Sequence, residues 1–176
     1  MNPEGFFKPE QILSQLGVRD QMEVADFGSG HGYFSIPLAK MIPGGKVYAI
    51  DVVKETLEAV KSKSELEKIK NIRTTHANLE TLGSSGLSDQ SMDLVLLRNI
   101  LFQSQKKEEI LKEADRVLKN DGKMVLIEWN QNSSMAPKEG YLLSKEEASQ
   151  LVSQRGLKLE KELEIDNHHY GLVFKK

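Results

Sequence analysis

The chain has 176 residues, of which 39% are apolar and 28% charged, and its 24 Lys and Arg against 26 Asp and Glu leave a net charge of -2. At that length roughly 70% of the unfolded surface can be buried, which sustains one core without covalent staples and excludes two full domains. The absence of Cys excludes disulfides, thiolate metal sites and Cys nucleophiles, and the near-neutral balance lacks the basic excess of a protein that grips nucleic acid through its phosphates, so nucleic acid is not an expected partner.

No run approaches the roughly 18 to 20 apolar residues that span a bilayer, so no membrane span is expected. Met1–Lys8 has neither a basic region followed by an apolar stretch nor a small-residue cleavage site, which makes a cytoplasmic location the default expectation. Glu23–Phe27 is a short apolar run ending at a Gly-rich turn, and Tyr33–Met41 then reads as a helix in which Pro37 costs a hydrogen bond, predicting a kink or a late start. After the Pro43-Gly44-Gly45 breaker, Lys46–Asp51 repeats the strand pattern, and a helix follows from Lys54 with Leu57 and Val60 on one face. Asn71–Thr75, Met92–Leu97 and Lys123–Trp129 supply three further strands. Between the last two, Ile110, Leu111, Ala114, Val117 and Leu118 form one apolar stripe at helical period, ended by Asn120-Asp121-Gly122. Ser144-Lys145-Glu146-Glu147 opens the last helix as a capping box. Leu157–Ile165 and His169–Phe174, joined at Asp166-Asn167, close the chain as an antiparallel hairpin. Alternating β and α units need right-handed crossovers, so the pattern predicts a doubly wound α/β domain with a mostly parallel sheet. Such sheets bind ligands beyond the carboxyl ends of their strands, where the winding direction reverses.

The first of those ends reads Asp26-Phe27-Gly28-Ser29-Gly30-His31-Gly32. Closely spaced glycines between a strand and a helix let backbone approach a ligand where a Cβ would collide. About twenty residues further on, Asp51 ends the second strand, where a carboxylate accepts both hydroxyls of an adenosine ribose. A dinucleotide fingerprint would need a third glycine where Tyr33 stands. Asp26 would also repel a pyrophosphate, whereas it suits a ligand that carries an ammonium group, as S-adenosylmethionine does. A nicotinamide-dependent oxidoreductase shares the Asp51 logic but fails at Tyr33 and Asp26 and lacks a Tyr-x-x-x-Lys pair.

Val24–Gly32, Val47–Asp51, Met92–Leu97 and Arg116–Gly122 together resemble, in order and spacing, the motifs of the class I S-adenosylmethionine-dependent methyltransferases, in the small type 11 branch that includes ubiquinone- and menaquinone-biosynthesis enzymes. The likeness runs from about Pro9 to Lys176. It implies a Rossmann-like seven-stranded sheet of order 3-2-1-4-5-7-6 and a single domain over 1–176, with a short N-terminal cap at 1–22 and a cofactor-binding core at 23–176. The implied cofactor is S-adenosyl-L-methionine, leaving S-adenosyl-L-homocysteine as product, with no metal. Carried over by position, Asp26 meets the methionine ammonium, Gly28, Ser29 and Gly30 supply close backbone contacts, and Asp51 holds the ribose. Val52 packs on adenine, Asn78 bonds its edge with a backbone contact from Leu79, and Arg98 faces the methionine end through its carbonyl. Asn78 also reads as a turn residue, and Arg98 as a solvated or ion-paired side chain.

Methyl transfer from a sulfonium is an in-line displacement, so alignment of two reactants supplies most of the catalysis and no nucleophilic residue is obligatory. A base helps only where the acceptor must lose a proton. His31, Glu128, His168 and His169 are the candidates, and a structural role is favoured for each histidine. Glu128, ending the fifth strand beside the expected acceptor cavity, is the better choice, but no catalytic base is assigned. Leu97-Arg98-Asn99-Ile100 lacks the Asn/Asp-Pro-Pro-Tyr pattern of exocyclic-amine methylation, and the missing Cys excludes cytosine C5 and Cys-dependent arsenite methylation by this chain. The expected acceptor is a small or medium-sized organic molecule. Only Met1–Leu16, with Phe6 and Phe7, and Asn130–Leu143, with Met135, Pro137 and Tyr141, are available as a cover, which predicts an open site suited to a bulky acceptor or to completion by a second subunit in a homodimer. A cofactor-binding subunit or sensor without turnover is the alternative from another class.

Overall fold

In the computed structural model of the chain, which describes residues 7–176, seven strands form one sheet in the order β3-β2-β1-β4-β5-β7-β6. Their ranges are β1 Glu23–Phe27, β2 Lys46–Asp51, β3 Ile72–His76, β4 Met92–Arg98, β5 Leu118–Trp129, β6 Lys158–Leu163 and β7 His169–Lys175. The first five run parallel, and β7 pairs antiparallel with both β5 and β6. Both the parallel order and the closing hairpin agree with expectation. The part of the proposed cap that spans Met1–Phe6, including Phe6, lies outside the described residues.

Helix α1 (Pro9–Leu13) contacts α2 (Ser35–Met41), α2 and α3 (Lys54–Leu66) contact β2 and β3, α4 (Lys107–Val117) contacts β5, and α5 (Lys145–Ser153) contacts β6 and β7. Successive strand residues point to opposite faces. Val24, Leu94, Leu96 and Val125 therefore pack with Ile12, Leu13 and Leu38, while Ala25, Phe27, Val95, Leu97 and Leu126 pack with Ile110, Leu111 and Ala114. Central strands covered on both sides are continuously apolar, and the two faces leave Asp26 as the one buried carboxylate of β1.

Helix α2 starts late, at Ser35, as Pro37 predicts: the proline falls in the first turn, where backbone N–H groups have no helical partner in any case. Two local features depart from the sequence reading. Helix α4 stops at Val117: Leu118 is already extended at φ -75 and ψ 130 and pairs with Met92. Gly122 is accordingly no left-handed helix stop. It lets the chain turn against Leu118, whose Cδ1 would stand 2.7 Å from an added Cβ. A short 3-10 turn, Leu101–Gln103, follows β4 where no element was expected. The capping box of α5 forms as predicted, with Glu147 N donating to Ser144 Oγ at 3.1 Å and Ser144 N donating to Glu147 Oε2 at 2.8 Å.

Candidate functional site

The winding reverses between β1 and β4, and the glycine loop leaves β1 at that point. Gly28 N and Ser29 N both donate to Ile50 O, at 2.8 and 3.1 Å, which folds the loop back over the end of β2. Gly28 at φ +74 and Gly30 at φ +50 occupy the left-handed region that glycine enters at no steric cost. A Cβ on Gly28 would lie 3.0 Å from Ile100 Cδ1, so the β4 exit packs directly on this glycine, whereas nothing lies within 4 Å of the equivalent point on Gly30.

Asp51 ties the two strand exits together. Its Oδ2 accepts from Gly30 N at 2.8 Å and its Oδ1 from Val53 N at 2.9 Å. Each oxygen keeps a lone pair for a further donor. The carboxylate is on the wall of a cavity of about 440 Å³ that also takes in Gly28, Gly30, Val52, Asn78, Leu79 and Arg98, a size suited to a small ligand. Seven of the nine predicted site residues thus share one cavity. Val52 is 61% exposed, presenting an apolar face beside Asp51, and Leu79 is buried opposite. Asn78 is a turn residue as well as wall, its Oδ1 accepting from Glu80 N at 3.0 Å.

The other two, Asp26 and Ser29, are buried beneath the loop and do not line the cavity. Asp26 Oδ2 accepts from Ser35 Oγ at 2.5 Å. Burial pushes its carboxyl up to about 6, against the opposing pull of the Ser35 hydrogen bond and the Arg98 charge. Arg98 places its guanidinium 4.9 Å from the Tyr33 ring centroid and 5.6 Å from that of Phe7, and burial lowers its pKa. This cation–π seat rules out the solvated reading of its side chain.

The structure adds Asn99, Ile100, Gln103 and Ser104 to the cavity wall, all from the β4 exit. Asn99 holds φ +50, uncommon for a residue with a side chain. Ser29 Oγ, Arg98 Nε and Asn99 Oδ1 are buried without a hydrogen-bond partner among the described residues. Buried polar atoms are seldom left so; Arg98 and Asn99 belong to the cavity wall and Ser29 to the glycine loop.

The base candidates separate. His31 is exposed. His168 Nδ1 lies 2.8 Å from Ser133 Oγ. His169 is buried, its ring 4.1 Å from that of Trp129 and its Nδ1 3.1 Å from Asp166 Oδ1, and burial lowers its pKa against the raising effect of Asp166. Glu128 is 1% exposed and absent from the cavity wall. Burial pushes it up to about 7, although backbone N–H groups of residues 100–102 pull the other way. Among the described residues no cluster of His, Asp or Glu could hold a metal, and no helix is long and apolar enough to cross a membrane.

Comparison with known proteins agrees with this architecture. Over 110 residues the chain is 30% identical to an arsenite methyltransferase of Aquipseudomonas alcaligenes, covering 60% of this chain and 32% of that protein. Over 135 residues it is 30% identical to a demethylmenaquinone methyltransferase of Staphylococcus aureus, covering 76% of this chain and 54% of that protein. The chain therefore spans about a third to a half of these curated relatives. A crystal structure of a SAM dependent methyltransferase from Aquifex aeolicus superposes with a TM-score of 0.86 at 24% identity, covering 97% of this chain and 90% of that one. A family model described as a methyltransferase domain matches residues 19–168, and the chain belongs to that family.

Proposed function

We propose that this protein is an S-adenosylmethionine-dependent methyltransferase that transfers a methyl group to a small or medium-sized organic acceptor. The observation that carries the reading is Asp51, a carboxylate at the mouth of β2 that is bonded to the glycine loop and still offers one lone pair per oxygen to the cavity. A ribose presents two vicinal hydroxyl donors to such a carboxylate. Val52 and Leu79 offer apolar flanks for a purine, and the open space at Gly30 admits a chain running along the loop. An amino-acid zwitterion supplies the acceptor that Arg98 Nε and the donor that Asn99 Oδ1 each lack. Asp26 adds negative potential beneath the loop, where an ammonium group would favour its ionised form.

When bound, the cofactor supplies an electrophilic methyl group on sulfur. The protein's part is to fix that group in line with the acceptor and to exclude water, which accounts for a large share of the rate in such displacements. Arg98 and the ring of Tyr33, stacked above the loop, bound the methionine end. The proposal includes one domain with residues 1–22 as its cap, and an acceptor that approaches from the side of Tyr33 and the β4 exit.

Thermal unfolding tests this reading. S-adenosylhomocysteine at one hundred times its Kd stabilises by about 2.7 kcal/mol, a rise of about 5 to 10 °C for a chain of this size. NAD at the same concentration gives no rise. No shift with millimolar S-adenosylhomocysteine, or a shift with NAD alone, overturns the proposal.

A further inference from the structure

Glu128 stands out among the buried groups because it is sealed from the cavity yet bonded to the segment that forms one wall of it. Its Oε1 accepts from Ile100 N at 3.1 Å and from Leu101 N at 2.8 Å. Those amides begin the 3-10 turn and have no acceptor within it. The residues just before and within the turn are the ones that meet the cavity: Asn99, Ile100, Gln103 and Ser104. Asn99 N is held by Ile127 O at 2.8 Å, so β5 grips the β4 exit at two successive points, once through backbone and once through Glu128.

The width of the site depends on that grip. Ile100 is in contact with Gly28, with its Cδ1 3.0 Å from where a Cβ would stand, so a shift of Ile100 opens or closes the cavity against the glycine loop. Asn99 sits at φ +50, in the left-handed region that Asn enters more readily than most residues with a side chain. A carboxyl group at full burial is an expensive way to satisfy two amides, and Glu128 Oε2 has no hydrogen-bond partner among the described residues. What the side chain provides in return is one oxygen placed to accept from both amides at once.

Resting on the methyltransferase reading, we infer that Glu128 is a positioning residue: by holding the Ile100 and Leu101 amides it keeps the β4 exit at the spacing the cofactor requires, without touching cofactor or acceptor. The role of general base, considered for it from sequence, does not suit a carboxylate turned into the backbone behind the wall.

The experiment compares full-length Glu128→Ala, Glu128→Gln and, as a stability control, Val173→Ala, which trims a buried β7 side chain that does not line the cavity. Calorimetry with S-adenosylhomocysteine is expected to show Kd raised tenfold or more by Glu128→Ala, restored to within threefold of wild type by Glu128→Gln, and unchanged by Val173→Ala. Amide exchange in the ligand-free protein is expected to show Ile100 and Leu101 losing protection in Glu128→Ala and keeping it in Glu128→Gln. If Glu128→Ala does not fold, Glu128→Asp, which retracts the carboxylate by one methylene, takes its place with the same expected direction. Wild-type affinity in a folded Glu128→Ala, or unchanged protection of the two amides, overturns the inference. Failure of the wild type to bind S-adenosylhomocysteine overturns the methyltransferase reading instead, and the exchange measurement then still decides what Glu128 holds.

Discussion

Replacing Asp51 by Asn keeps the shape of the side chain and removes half of its capacity to accept hydrogen bonds. The two carboxylate oxygens accept from Gly30 N and Val53 N, and an amide side chain turns an NH2 group toward one of these donors. One backbone N–H then faces another donor, and the remaining bond loses its charge assistance. An unsatisfied buried amide costs about 1–3 kcal/mol, so the ligand-free variant should melt about 2 to 12 °C lower. Ligand affinity falls further. Two hydroxyls bonded to a charged acceptor are worth about 1.5–3 kcal/mol each, and the single oxygen left retains at most one of them. The S-adenosylhomocysteine Kd should therefore rise about 10- to 100-fold, measured by calorimetry beside the melting curve of the free protein. An Asp51→Asn protein with the wild-type melting temperature and the wild-type Kd would refute both the loop-tying and the ribose-holding roles. Asp51→Ala is a poorer test, because it releases both amides and mixes loss of the loop with loss of the contact.

Gly28→Ala should cost about 1–2 kcal/mol from its left-handed backbone and press on Ile100 as well, weakening S-adenosylhomocysteine more than it lowers stability. Calorimetry on the folded variant checks this. The pH dependence of stability carries opposite signs from different carboxyls. Asp26 and Glu128, raised to about 6 and about 7 by burial, favour the protonated folded state, so their contribution is complete below pH 4 and is lost as pH rises through 6 to 7. Urea midpoints should accordingly fall between pH 5 and pH 8, with a shallower fall in Glu128→Gln, and an equally steep fall would contradict the assignment. Burial would raise Glu113, but hydrogen bonds from Arg116, Ser85 and Gly83 hold it at about 2, so its contribution is present above pH 4.5 and is lost on acidification toward 2. Glu113→Ala leaves the Gly83 and Ser85 amides without their acceptor and Arg116 with Asp89 as its remaining carboxylate partner, and should destabilise by about 2–5 kcal/mol in urea unfolding at pH 7.

What the sequence made legible was whatever depends on neighbouring residues. Strands β1 and β2 appear at the boundaries their apolar runs predict, and the capping box of α5 is local by nature. The glycine loop and Asp51 were visible because spacing along the chain sets their separation in space. The Asn99–Ser104 wall was not, because its shape comes from Glu128, 28 positions from Ile100, and from packing on Gly28. A hint was present in Asn99, a residue type that tolerates left-handed backbone, at the end of a strand beside the switch point. Glu113 was hidden for a related reason. The helical period predicted the apolar face of α4, but a fully buried acid on that helix makes sense only once Arg116 and the Gly83–Ser85 amides are placed around it. The end of α4 was misplaced because Leu118 continues the apolar stripe while its backbone has already joined β5.

Backbone amide chemical shifts recorded while S-adenosylhomocysteine is added test the central claim most directly, because they report both binding and place. Saturable shifts are expected at Gly28, Gly30, Asp51, Val52, Val53, Asn78, Leu79, Asn99 and Ile100, the residues along the cavity between the glycine loop and the β4 exit. Shifts confined to another surface, or none at millimolar ligand, would contradict the claim.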